Sequence, residues 1–127
     1  MAIILHSDIT ERIIKCFFKV YNKLGYGFLE KVYEHSLMIE LIDDGLICER
    51  QKPIKVYYKD KVVGDYYADV LVENKVIIEL KAAETIAEEH EFQLINYLKA
   101  TEIEVGLLLN FGTKPAFKRK ILTNDKK

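Results

Sequence analysis

The sequence predicts an α/β sandwich built on a mixed sheet, and three observations carry that prediction. Two early stretches, Asp8 to Leu24 and Phe28 to Asp44, repeat apolar residues at the three- and four-residue spacing of amphipathic helices. Residues Ile54 to Lys81 then fall into apolar runs separated by polar, turn-forming clusters, the pattern of an antiparallel meander. A third helical stretch ending near Ala100 leads into a continuous apolar run, Val105 to Asn110, the mark of a strand covered on both faces. Helices on either side of a meander, with one buried strand beyond, require layers packed on both faces of a single sheet.

In the first helix Ile9, Ile13, Phe17, Val20 and Leu24 form the apolar stripe, Asp8 and Glu11 read as a capping box, and Gly25 is the stop. The second helix carries Glu30, Tyr33, Leu37 and Leu41 on one stripe and is closed by Gly45. Pro53 introduces the first strand, Ile54 to Tyr58, and Lys59, Asp60 and Lys61 turn it into a second, Val62 to Val72, in which Gly64 marks a bulge or bend. The third strand ends at Lys81. On the following helix His90, Gln93 and Tyr97 share a polar line, while Leu94 and Leu98 supply the core. After Gly112 and Pro115, Phe117 to Leu122 forms an edge strand, and the tail from Thr123 is expected to be mobile.

Composition narrows the function classes. A chain of 127 residues, 50% apolar and 31% charged, makes one domain, residues 1–127, with its own core. The net charge is −1, and only Arg12, Arg50 and Arg119 among 19 basic residues are arginines. Proteins that hold long DNA chiefly through its phosphates carry a basic surplus, because counterion release drives that affinity. Phosphate must here be gripped locally or delivered by a partner. The opening MAIILHSD is too short an apolar run for a signal peptide, and no stretch is long enough to cross a membrane, so the expected location is cytoplasmic with no membrane partner. Cys16 and Cys48 lack partners at metal-ligand spacing and are expected to be free thiols.

The chemistry concentrates between Asp65 and Tyr97. Asp69 interrupts one apolar run, Glu79 and Lys81 interrupt the next, and Glu73, Asn74 and Lys75 lie between. Side chains alternate along a strand, so Glu79 and Lys81 share a face with Ile77 while Val76, Ile78 and Leu80 take the other. A two-residue turn at Glu73 and Asn74 would pair Asp69 with Ile78 and part the carboxylates. A three-residue loop pairs Val72 with Val76, sets Asp69 opposite Glu79 and Tyr67 opposite Lys81, and gathers the charges on one side; this register is the one expected. Its left-handed residue falls to Asn74 or Lys75. Facing carboxylates repel and lose water unless something positive sits between them, and hard oxygen donors suit Mg²⁺ or Mn²⁺. From spacing alone, a solvent-facing Asp69 and an exposed Glu79–Lys81 ion pair satisfy the pattern equally well. Glu30 likewise either gains from the helix dipole or aims inward at something positive.

Asp69 followed by Glu79-Leu80-Lys81 resembles the Asp and Glu-x-Lys of the PD-(D/E)xK nuclease superfamily, with Ala68 where the name has proline and Tyr67 where similar proteins often have arginine. GFLEKVY, Gly27 to Tyr33, is similar to the signature of the GxxExxY family within it, and Gln93 with Tyr97 resembles the QxxxY of RecB-like nucleases. The resemblance covers nearly the whole chain and implies an αβββαβ core, restriction-endonuclease-like, with an extra helix. It also implies a metal-dependent nuclease hydrolysing phosphodiester bonds in DNA, with RNA left open. One or two Mg²⁺ or Mn²⁺ ions would be held by Asp69, Glu79, the backbone carbonyl of Leu80 and Glu30. Lys81 would steer the attacking water, and Gln93, Tyr97, Tyr33 and His90 would face substrate. The alternatives are a catalytically silent module of the same fold that binds nucleic acid or a protein partner, and a homodimer whose cleft forms between subunits.

Overall fold

A computed structural model describes residues 4–127. Its elements are α1 (Ser7–Leu24), α2 (Glu30–Asp43), β1 (Cys48–Tyr58), β2 (Lys61–Val72), β3 (Val76–Lys81), α3 (Glu88–Lys99), β4 (Val105–Phe111), β5 (Pro115–Ile121) and a final 3-10 turn, Asn124–Lys126. The sheet runs β1-β2-β3-β4-β5; every neighbouring pair is antiparallel except β3 with β4, which are parallel. That parallel pair needs a crossover, and α3 supplies it. This is the predicted α/β sandwich with a mixed sheet.

Each face of the sheet has its own core. Ile13, Phe17, Leu37 and Leu41 of α1 and α2 pack on Val70, Val76, Ile78 and Leu80, while Leu94 and Leu98 of α3 pack on Ile77 and Leu108. β4 is buried along its whole length, which is why its sequence reads as an unbroken apolar run. At Gly106 an added Cβ would stand 2.6 Å from Leu94 Cδ1, so the glycine lets α3 lie close against the strand.

Two boundaries differ from expectation. The capping box at Asp8 does not form: α1 starts at Ser7 behind a left-handed His6 with no side-chain cap, and Asp8 sits in the first turn, where its charge meets the helix dipole. β1 starts at Cys48 rather than Ile54, because Cys48 to Lys52 pair with Val72 to Ala68 on the outer edge of the sheet, where polar side chains can face water. Pro53 is tolerated there because an edge strand can spare an N–H. The bulge near Gly64 is present: Val56 faces Gly64 but Tyr57 faces Val62, leaving Val63 as the extra residue. At the chain end, Asn124 N–H donates to Glu104 Oε2 (2.8 Å) and Lys127 Nζ to the carbonyls of Thr101 and Ile103 (2.8 Å each).

The β2–β3 hairpin has the three-residue loop. Val72 pairs with Val76, Leu71 with Ile77 and Val70 with Ile78. Glu73 and Asn74, rather than Lys75, are left-handed (φ 53° and 54°). Glu73 adopts this region while clamped to Ile47 on both sides: its N–H donates to Ile47 O (2.7 Å) and its carboxylate accepts from Ile47 N–H (2.6 Å). The β2–β3 ladder stops at Val70 and Ile78, whereas β1 and β2 stay paired as far as Tyr58 and Lys61. The β1–β2 pair thus leaves the sheet as an arm, and a fork opens between it and β3. Tyr67, expected opposite Lys81, lies on the arm and pairs with Pro53.

Candidate active site

Asp69 is the first β2 residue beyond the last β2–β3 pair, and Glu79 holds the matching place on β3. Their side chains replace the missing ladder. Glu79 Oε1 accepts from Asp69 N–H (3.2 Å), and Asp69 Oδ2 accepts from Leu80 N–H (2.8 Å). Asp69 also marks a change of face. Strict alternation would put Ala68 with Val70, yet Ala68 packs in the α3-side core and Val70 in the α1/α2-side core. Opposite it, Gln51 has a left-handed φ of 55° and drops out of the β1–β2 ladder.

The electrostatics follow from this geometry. Glu79 is only 4% exposed, and burial first, then the charge of Asp69, pushes its carboxyl up to about 9. Burial raises Asp69 too, against the opposing Leu80 N–H. Burial, and for Glu79 the charge of Asp69, thus disfavour ionisation of both carboxyls together. Lys81 ends β3 half-buried, and its charge favours ionisation of both carboxyls. Among the described residues no basic side chain comes within 4.0 Å of either one.

Asp69 and Leu80 open onto a cavity of about 240 Å³ beneath α2, lined also by Glu30, Lys31, Glu34 and Gln51. The buried carboxylate of this helix is Glu34, not the expected Glu30. Glu30 is the first residue of α2 and is exposed, so it stays in water at the cavity mouth. Glu34, one turn on, is 5% exposed, accepts from Gln51 Nε2 (2.7 Å), pairs with Arg50 (3.4 Å), and adds its negative field to Asp69. The signal was its place four residues after Glu30 and three before Leu37, beside the buried stripe. The expected convergence of Glu30, Asp69 and Glu79 into three ligands is not formed: no three Asp, Glu, His or Cys side chains gather to hold a metal among the described residues.

Tyr33 also needs correction. It is fully buried, stacks on Phe111 (4.3 Å between centroids, 16°), donates its hydroxyl hydrogen to Gly25 O (2.7 Å) and accepts from Phe28 N–H (3.3 Å). A ring so enclosed holds the turn before α2 and cannot face substrate. His90 Nδ1 accepts from Ala87 N–H (3.3 Å), capping α3. Gln93 Nε2 donates to the Tyr97 hydroxyl (2.9 Å), and the Tyr97 phenol is raised by burial and then by the nearby charge of Glu79. His90, Gln93 and Tyr97 all line a cleft of about 860 Å³ between α3 and the arm.

The donor set fits a small, hard divalent cation. Asp69 and Glu79 each commit one oxygen to a backbone N–H, and among the described residues the other oxygen of each has no N–H donor. Their second negative charge is unfavourable without a cation, and carboxylate oxygens are the ligands such a cation prefers.

Three comparisons bear on this arrangement. No curated protein matches the chain. Among solved structures, the crystal structure of SSO0001 superposes with a TM-score of 0.59 at 19% identity over 94% of this chain, which spans 61% of that protein's length. An alkaline exonuclease from Laribacter hongkongensis superposes with a TM-score of 0.54 at 11% identity, over 97% of this chain and 73% of the exonuclease. At these identities the likeness is one of fold. The family model of the PD-(D/E)XK nuclease superfamily matches residues 7–121, nearly the full length, and the chain therefore belongs to the PD-(D/E)XK nuclease superfamily.

Proposed function

We propose that this protein is a metal-dependent nuclease that hydrolyses phosphodiester bonds in DNA. The observation that carries the reading is the juxtaposition of Asp69 and Glu79 in the fork, each bonded to the other's strand and together short of positive charge, with Lys81 two residues on. Asp69, Glu79 and the Leu80 carbonyl would hold Mg²⁺ or Mn²⁺, which supplies Lewis-acid polarisation of the phosphate and a more acidic water. Glu30, on the lining of the same cavity, is the candidate further ligand, directly or through water.

The chain's own part is to position and neutralise. The half-buried Lys81 presents an ammonium that orients the attacking water and offsets charge developing on the phosphate, which is worth most where water is excluded. The Gln93–Tyr97 hydrogen bond fixes a polar pair on the α3 side of the fork. In this reading the GFLEKVY motif is partly scaffold, since Tyr33 organises the turn from which α2 presents Glu30 and Glu34.

Cleavage of labelled single-stranded, double-stranded and branched DNA and of RNA, with Mg²⁺ or Mn²⁺, tests the proposal. Activity should need the metal, and Lys81→Ala should lower it about a hundred- to a thousandfold with the melting temperature unchanged. A parent protein that cuts none of these under either metal would make the fold a binding module instead.

A further inference from the structure

A second cleft lies between α3 and the β1–β2 arm, and neither candidate carboxylate, Asp69 or Glu79, lines it. Its volume, about 860 Å³, is near the top of the usual range of roughly 300–1,000 Å³ for ligand sites. Tyr57 and Tyr66 of the arm and Phe92 of α3 line it, and they remain 62%, 47% and 57% exposed. Three large rings from three separate elements thus face one space that no part of the described chain fills. Lys55 and Lys99 stand on the same cleft, one from each wall, against a single carboxylate of its lining, Glu89.

The cleft comes near the fork at Tyr97, which lines it and lies within reach of the charges of Glu79 and Asp69. The Tyr66 ring lies 5.8 Å from that of Tyr97, and Tyr97 shares a buried cluster with Ala68, next to Asp69, and Ile77, two residues before Glu79. Rings for flat apolar groups, lysines for anions, and a neighbouring site for phosphate together describe a single strand of nucleic acid. Bases stack on aromatic side chains when unpaired, and every base has a face to offer. Bases within a duplex are already stacked on each other and cannot enter. A net charge of −1 is also too little to hold a duplex by its phosphates alone.

We propose that this cleft binds unpaired nucleotides beside the phosphate to be cut, with bases against Tyr57, Tyr66 and Phe92 and phosphates near Lys55 and Lys99, so that the substrate is single-stranded. This rests on the nuclease reading for the identity of the neighbouring site, but binding can be measured without cleavage. Labelled oligothymidine and a blunt duplex of equal length are titrated against the protein in Ca²⁺ and again in chelator, followed by anisotropy. Intrinsic fluorescence serves as a second readout, because the chain has eight tyrosines and no tryptophan.

The parent should bind the single strand at least about tenfold more tightly than the duplex, with quenching of tyrosine emission. Tyr57→Ala combined with Phe92→Ala should weaken single-strand binding by about ten- to a hundredfold, leaving duplex binding and the melting temperature unchanged. Tyr57→Phe should bind as the parent does. A parent that prefers duplex, or a double variant that binds oligothymidine normally, would overturn the assignment. Ring-dependent binding in a protein that cuts nothing would sustain the cleft and remove the nuclease reading. Cleavage of duplex DNA untouched by loss of the rings would do the reverse.

Discussion

Replacing Glu79 by glutamine keeps the side chain's shape and an oxygen for the Asp69 N–H while removing the charge that burial opposes. In the parent the Glu79 carboxyl rises from an ordinary 4.5 to about 9 on folding. A group raised in the folded state contributes its full stability below the unfolded value and loses it as pH climbs toward the folded one. In chelator, the parent should therefore weaken relative to the variant from about pH 4.5 upward. At about 1.36 kcal/mol per unit, the climb to pH 7 costs the parent about 3 kcal/mol, or roughly 10 °C of melting temperature for a domain of this size. Thermal and urea melts of parent and Glu79→Gln between pH 4.5 and 8 read this directly as a difference that widens with pH. Mn²⁺ should then raise the parent's melting temperature and leave the variant nearly unmoved, since a ligand of the folded state contributes about 2.7 kcal/mol at a hundred times its dissociation constant. Parallel pH curves would refute the reasoning. So would a parent that gains on the variant with rising pH, because that behaviour belongs to a carboxylate stabilised by Lys81.

Other expectations test individual placements. Tyr33→Phe should cost about 1–2 kcal/mol in urea unfolding, because it strips partners from Gly25 O and Phe28 N–H, yet leave cleavage per folded molecule unchanged; a selective loss of activity would return Tyr33 to the substrate side. Gly106→Ala should destabilise by about 1–3 kcal/mol through its clash with Leu94, measured in the same melts. Cys16, whose thiol burial and the charges of Asp44 and Glu40 push up to about 11, should resist a disulfide reagent at pH 8 in the native protein and react at once in denaturant.

Periodicity made the fold legible where an element keeps a single period and buries a single face or both. β4 is apolar throughout because both faces are covered, and α1 keeps one clean stripe. β1 was read short because its first half, on the sheet edge, is polar and mostly exposed, so no apolar rhythm announces it. The carboxylate pair was legible through hairpin parity, since only the three-residue loop sets Asp69 beside Glu79. Glu34 was not, because a buried charge on a helix looks like any other polar position until its partners are known, and Arg50 and Gln51 come from a stretch that reads as loop. Parity also misled locally: the change of face at Asp69 depends on the backbone of Gln51, which no spacing rule reports.

Asp69 and Glu79 belong to one hairpin, whereas β3 meets β4 only after a long crossover through α3. Contacts close in sequence form with little loop entropy to overcome, so the hairpin can assemble while β4 and α3 are still undocked. In such a partly folded chain the two carboxylates are near each other but still wet. Their full electrostatic cost falls due when the α3–β4 unit closes over the sheet and takes the water away. If that closure follows the folding barrier, the cost is expressed in the rate at which the native molecule opens, not the rate at which it forms. Relieving it at Glu79 then slows unfolding while refolding is little changed, and a bound cation has the same kinetic effect, lengthening the lifetime of the closed domain in which the fork is intact.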